Sequence, residues 1–155
     1  MVREAKGQVK VDVALDLLWR GLSKDIVTTV PKIVPNLVKK AEIVEGDGGL
    51  GSVILFEFGP GAGEVEYQKE KIVELEDSQL RLGLQVMEGG HLAAGFSFYR
   101  VTFQLTPSTD KETVVDVTIA FECEREEAAS AAFISKSVGS NLAFVRALAK
   151  FLQEE

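Results

Sequence analysis

The sequence predicts an α+β fold: a seven-stranded antiparallel sheet, curved around a long C-terminal helix, with two short helices near the N-terminus. Three observations point there. Short segments of alternating hydrophobicity recur between turn signals. Two compact helical patterns follow the first of them, and one long helical stripe closes the chain.

Residues 7–13 put Val9, Val11 and Val13 on one face and Lys10 and Asp12 on the other, which is a half-buried strand. Residues 14–22 gather Leu15, Leu18, Trp19 and Leu22 on one helical side. Ser23, Lys24 and Asp25 then stop that helix and cap a second one, residues 26–34, limited by Pro31 and Pro35. So tight a joint makes the pair a V. Strands follow at 40–44, 52–58, 64–74, 79–87, 92–105 and 113–124. They are separated by turn signals at Gly59-Pro60-Gly61, Asp77-Ser78, Glu88-Gly89-Gly90 and Pro107-Ser108-Thr109-Asp110. Connections this short pair neighbours antiparallel. The closing helix, 126–153, carries Leu142, Val145, Leu148, Ala149 and Leu152 on one face. Glu124, Glu126 and Glu127 near its start and Lys150 near its end suit the helix dipole.

The 155 residues, 46% apolar and 26% charged, are expected to form a single domain over 1–155 with a core that needs no staples. A net charge of −7 disfavours nucleic acid as a partner, because that binding relies on Lys and Arg displacing counterions. The lone Cys123 cannot form an internal disulfide and fits a reducing compartment. His91 and Cys123 have no second His or Cys to complete a zinc shell, so no metal and no cofactor is expected. A Ser-His-Asp triad would have to use His91, and no nucleophile-elbow motif accompanies it. No apolar run approaches the ~20 residues that span a bilayer. The first residues carry Arg3, Glu4 and Lys6 and no apolar core of a secretory signal, so the expected location is the cytoplasm.

"VEGDGGLGSVILFEF" (44–58) contains Gly46, Gly48 and Gly51 in the pattern G-x-G-x-x-G. A dinucleotide site needs a helix after the loop, so that the pyrophosphate meets its N-terminus. Here a β-branched and aromatic strand follows, and the Lys-Ser/Thr of a P-loop is missing. The segment reads as a hairpin whose glycines supply positive φ.

With "VEGDGGLGS", the "EGG" at 88–90 and the terminal helix bearing Gly139, the chain resembles the plant pathogenesis-related class 10 proteins, which share a fold with the birch major pollen allergen. The likeness covers essentially the whole chain. Gly46, Gly48, Gly49 and Gly51 all match the family loop, and Leu50 stands where the family has Pro or Val. "LWRGLSKDIVTTVPKIVPNLVK", "IVEGDGG", "YQKE" and "LQVMEGGHLAAGFSFYRVTF" resemble its cytokinin-specific, phytohormone-binding branch. The resemblance implies a helix-grip, START-like fold with a large cavity between the sheet and the long helix. The residues themselves leave two packings open. The small side chains Ala128, Ala129, Ser130, Ala131, Ala132, Ser135, Ser137 and Gly139 either leave space over a concave sheet or let the helix lie close upon it.

Alternation puts Ile54, Phe56 and Phe58 on one face, as it does Leu82, Leu84 and Val86. Tyr99, Val101, Phe103 and Leu105 share another, and Val115, Val117, Ile119 and Phe121 a fourth. These are plain core or the apolar wall of a ligand site. Gln68 and Glu70 lie two apart on one face, although "EYQKEKIVELE" also fits a water-facing edge strand. In the hormone-binding branch the matching pair points into the cavity. There an amide and a carboxylate can read an adenine edge, or the carboxyl and hydroxyl of a gibberellin. The branch also has a helical Thr and Tyr that reach the ligand; Asn141 and Phe144 align with them, and Phe144 lacks the hydroxyl. Lys136 matches a family lysine near the cavity mouth, or is a solvated helix charge. His91 follows in a turn at the far rim and is expected to be exposed.

The expected function is binding of small plant hormones, cytokinin-like purines or gibberellins, by a monomer or weak dimer in a defence-associated family, without nucleic-acid or membrane partners. "EGGHLAAGFSFYRV" is also similar to norcoclaurine synthase, which condenses an amine with an aldehyde. That chemistry wants a lysine and an acid in the cavity. Leu82 and Val101 stand at those positions, and Tyr67 and Glu70 keep the synthase's tyrosine–glutamate character only loosely. The abscisic acid receptors of the same superfamily carry a Ser-Gly-Leu-Pro gate and a His-Arg-Leu latch, which "GPGAGE" and "LEDSQL" do not match.

Overall fold

Alternating strands build a sheet with one dry face, and that face sets everything else. The computed structural model describes residues 1–63, 65–125 and 129–154. In chain order they form β1 (Arg3–Val11), α1 (Leu15–Ser23), α2 (Ile26–Ile33), β2 (Val38–Glu45), β3 (Val53–Phe58) and a 3-10 turn (Pro60–Ala62). Next come β4 (Tyr67–Glu76), β5 (Arg81–Gly89), α3 (Gly90–Ala93), β6 (Phe96–Thr109), β7 (Glu112–Cys123) and α4 (Ala131–Gln153). The seven strands make one antiparallel sheet in the order β1-β7-β6-β5-β4-β3-β2. Strands β2 to β7 meander through short connections. β1 joins the far side of β7, so the α1–α2 pair has to carry the chain from one sheet edge to the other.

Register lines up the inward residues in rows. Leu84 faces Val101, which faces Ile119, and Leu82, Phe103 and Val117 form the next row. All six are buried. The last turns of α4 add Val145, Leu148, Ala149 and Leu152 to this core, beside Leu18 and Leu22 of α1. Trp19 is anchored by its indole N–H, which donates to Asp77 Oδ1 at 2.8 Å and ties α1 to the β4–β5 turn.

The helix α4 runs beside β1 and β7 and rests on α1 and α2. It approaches the sheet closely at Gly7, where a methyl group would lie 2.6 Å from Val138 Cγ1 and 3.0 Å from Leu142 Cδ1. The first half of α4 has no buried residue. Its sheet-facing side carries Phe133, Ile134, Ser137, Val138, Asn141 and Leu142, all partly exposed. This corrects the expected role of the small residues: Ala131, Ala132, Ser135 and Gly139 lie on the exposed side. A run of small residues has no helical period and therefore does not say which side faces the sheet.

Other boundaries moved for local reasons. The segment expected to begin a strand at residue 92 forms the short helix α3, and β6 starts at Phe96 after Gly95 at φ 114°. Pro31 lies inside α2 rather than ending it. Asp25 is the N-cap residue of α2 without a side-chain cap bond; instead Thr28 Oγ1 donates to the Asp25 carbonyl at 3.0 Å. Ser130 caps α4 by accepting from the Phe133 N–H at 3.2 Å. Glu124 is therefore outside the helix, Lys150 is in its last turn, and Glu126, Glu127 and Ala128 are outside the described residues. Among the described residues no helix is long and apolar enough to cross a membrane.

Candidate functional site

The glycine loop lies apart from the sheet interior and ties up the amides of Gly48, Gly49 and Gly51. Gly46, Gly48 and Gly51 adopt φ of 88°, 100° and 87°, values that favour glycine. The Gly48 N–H donates to Ser52 Oγ at 2.8 Å, the Gly49 N–H to Asp47 Oδ1 at 2.9 Å and the Gly51 N–H to the Ile72 carbonyl at 2.8 Å. With β2 and β3 paired antiparallel on either side, the loop is a hairpin with no helix terminus behind it.

The polar pair of β4 does turn inward. Gln68 is 6% exposed, and its Nε2 donates to Glu70 Oε2 at 3.0 Å. Opposite Gln68 in the β4–β5 ladder stands Gly89, followed by Gly90. These glycines adopt φ of 72° and 46°. A methyl at Gly90 would fall 1.8 Å from Gln68 Oε1, and one at Gly89 would fall 2.6 Å from the Tyr67 carbonyl. The "EGG" turn is thus folded flat onto β4. From it the His91 N–H donates to Gln68 Oε1 at 3.2 Å, and His91 Nδ1 lies 3.0 Å from the same oxygen.

The His91 ring stacks on Tyr99 with centroids 3.7 Å apart and planes 14° from parallel. Its edges meet Phe96 and Phe133 at 5.9 and 6.2 Å. Strand β4, helix α3, strand β6 and helix α4 therefore converge on one small region. The exposed His91 expected from its turn is corrected: the glycine turn reverses the chain so sharply that the ring points inward. Sequence reasoning missed it because the signal, a histidine directly after two positive-φ glycines, acquires meaning only once Gln68 is known to lie beneath them.

Burial shapes the chemistry here. It raises the Glu70 pKa above the usual carboxylate value, and the Gln68 hydrogen bond pulls it back only in part. It lowers His91 to about 4, so the ring is neutral near pH 7. It pushes Tyr99 up to about 12, opposed by the Ser137 hydroxyl of α4 and helped by the nearby Glu70 charge. Among the described residues, Gln68 keeps one N–H, and Glu70 its Oε1, without a protein partner.

The apolar candidates Phe56, Leu82, Leu84, Tyr99, Val101 and Phe103 all lie buried on the inner sheet face. Phe144 packs edge-on against Phe103 at 6.4 Å. The Asn141 Nδ2 donates to its own helix, at the Ser137 carbonyl 2.9 Å away. Lys136 is exposed beside Ser135 on the outer side of α4 and does not join the others. Tyr67 faces away from the interior, donating to Glu88 Oε2 at 2.8 Å. Two depressions open on the outer sheet face. One, of about 880 Å³, includes Leu55, Glu57, Tyr67 and Glu88 in its lining. The other, of about 340 Å³, includes Val73, Glu74 and Arg100. On the inner side Glu70, His91, Ser137 and Asn141 keep partial exposure although they face the sheet–helix space.

A curved antiparallel sheet, a long helix laid across its concave side and a polar pair turned between them define a sheet-and-helix fold of the kind that holds small molecules. The chain belongs to the Pathogenesis-related protein Bet v 1 family, which residues 1–145 match. It is 28% identical over 127 residues to norbelladine synthase of Narcissus pseudonarcissus, covering 81% of this chain and 78% of that protein. It is 25% identical over 151 residues to pathogenesis-related protein B of Petroselinum crispum, covering 97% of each. Among solved structures it resembles norcoclaurine synthase from Thalictrum flavum in complex with dopamine and hydroxybenzaldehyde. That likeness has a TM-score of 0.81 at 24% identity and covers 100% of this chain and 88% of the other.

Proposed function

We propose that residues 1–155 form one ligand-binding domain, cytoplasmic in location. It takes up a small, mostly apolar plant hormone, a cytokinin-like purine or a gibberellin, between the sheet and the first half of α4. One observation carries this reading. Gln68 and Glu70 face the interior and bond to each other, and each keeps a valence that no described residue fills. Glu70 keeps partial exposure toward the space between the sheet and α4, so its free oxygen stays open to a ligand there. The surrounding wall of Phe56, Leu84, Tyr99 and Val101 suits a flat, apolar body. The "YQKE" and "LSKD" stretches, which resemble the hormone-binding branch, support the same ligand class.

Thermal unfolding with a panel of cytokinins and gibberellins tests it. A ligand at 100 times its Kd adds about 2.7 kcal/mol to stability. Gln68→Ala should weaken that gain for whichever compound binds. A panel that leaves the melting curve of the wild type unmoved refutes the reading.

A second reading is amine–aldehyde condensation. The raised Glu70 carboxyl near the Tyr99 phenol could move protons, and the likeness to norbelladine synthase favours it. Against it stand Leu82 and Val101, 1% and 7% exposed and apolar, at the positions of the synthase lysine and aspartate. Catalytic turnover of dopamine with an aldehyde would put this reading first.

A further inference from the structure

We infer that the His91 imidazole selects the ligand. By filling the second lone pair of the Gln68 carbonyl oxygen, it leaves the Gln68–Glu70 pair able to read only an acceptor beside a donor. That is the edge of a nitrogen heterocycle rather than a hydroxyl or acid that must give its proton to the Gln68 oxygen. The inference rests on the ligand-binding reading above and names the chemistry of the ligand.

The geometry runs from a group that admits no ambiguity. A backbone N–H can only donate, so the Gln68 atom 3.2 Å from the His91 N–H must be the amide oxygen. The NH2 group then faces Glu70, 3.0 Å from Oε2. His91 Nδ1 lies 3.0 Å from the same amide oxygen, so Nδ1 carries the ring proton and Nε2 is bare. A carbonyl oxygen has two lone pairs, and both are now engaged. Gly90 makes this closeness attainable, because any side chain there would occupy the place of the Gln68 oxygen. Stacking on Tyr99 and edge contacts with Phe96 and Phe133 hold the ring in position. Burial keeps it uncharged.

What remains for a ligand is one N–H from Gln68 and one oxygen from Glu70. A ring nitrogen or carbonyl beside a ring or exocyclic N–H answers both at once. A hydroxyl or carboxyl group that would have to donate to the Gln68 oxygen finds both of its lone pairs taken. His91 is a positioning residue here: it acts on the ligand through Gln68.

The test compares wild type and His91→Phe, which keeps the backbone N–H and an aromatic ring over Tyr99 but removes Nδ1–H. Calorimetry with 6-benzylaminopurine and gibberellic acid gives an affinity ratio for each protein. The wild type should prefer the purine, and the variant should lose about tenfold of that preference, the worth of one hydrogen bond. An unchanged ratio, or a wild type that prefers the acid, overturns the inference. A ligand-free measurement separates this failure from failure of the carrier reading. Histidine-labelled wild-type protein should show its single imidazole protonated at Nδ1 in nitrogen NMR. Protonation at Nε2 overturns the inference whatever binds. A wild type with Nδ1 protonated that takes neither compound overturns the carrier reading, and the selection falls with it.

Discussion

His91 is the chain's only histidine, so its titration can be read without competition. Burial depresses its pKa from 6.5 to about 4. Below pH 6.5 the unfolded chain binds a proton on this ring that the native state refuses. The stabilising contribution of the neutral ring is therefore fully present above the unfolded value and is lost as pH falls through that window to the folded value. The gap of about 2.5 pH units, at ~1.36 kcal/mol per unit, corresponds to roughly 3 kcal/mol of stability lost by pH 4. Glu70 works in the opposite sense. Its raised pKa means that the native state takes up a proton first, so its contribution is lost as pH rises through the folded value. Tyr99 stays protonated across the whole range. Comparing wild type with His91→Phe cancels Glu70, which both proteins keep. Denaturant unfolding from about pH 8 to pH 4 should give a stability difference that is constant above pH 7. It should then shift against the wild type by roughly 3 kcal/mol toward pH 4. A difference that stays constant through the acid range, or an imidazole resonance titrating near 6.5, refutes the buried, neutral ring.

Three more substitutions probe the same construction. Gly90→Ala places a methyl on the Gln68 oxygen at a φ of 46°, so ligand-induced stabilisation should vanish and unfolding should come about 1–3 kcal/mol more easily. Glu70→Gln removes a carboxyl that burial penalises; the apo protein should gain stability at pH 8, while calorimetry should show weaker ligand binding. Gly7→Val drives a branched side chain into Val138 and Leu142, which should cost about 1–3 kcal/mol in denaturant unfolding and displace the middle of α4.

The strand faces were legible because alternation is a property of each strand alone. Phe56, Leu84, Val101 and Ile119 could be placed inward from period-two patterning, and all are buried. The hairpin reading of the glycine loop followed from the strand-like residues after Gly51. Gln68 and Glu70 could be put on a common face, but period alone left that face open between water and interior. Their neighbours settle it: Phe56 pairs with Gln68 and Ile54 with Glu70, and both are core residues. The small residues of α4 misled because residue size carries no direction, whereas Phe133, Ile134, Val138 and Leu142 do carry helical spacing toward the sheet.

By itself, then, the sequence determined the order of the seven strands and three longer helices, the alternating faces of the strands and the turns that glycine must make. These depend on local periodicity and on backbone sterics, which act between near neighbours in the chain. Only the tertiary structure decided that Gly89 stands across from Gln68 and that His91 swings back over the amide. It alone decided that α4 presses on Gly7 yet leaves its first half only partly buried. Contacts between residues twenty or a hundred positions apart are set by strand register and sheet curvature, and the hydrophobic pattern of one strand is compatible with several registers of the next.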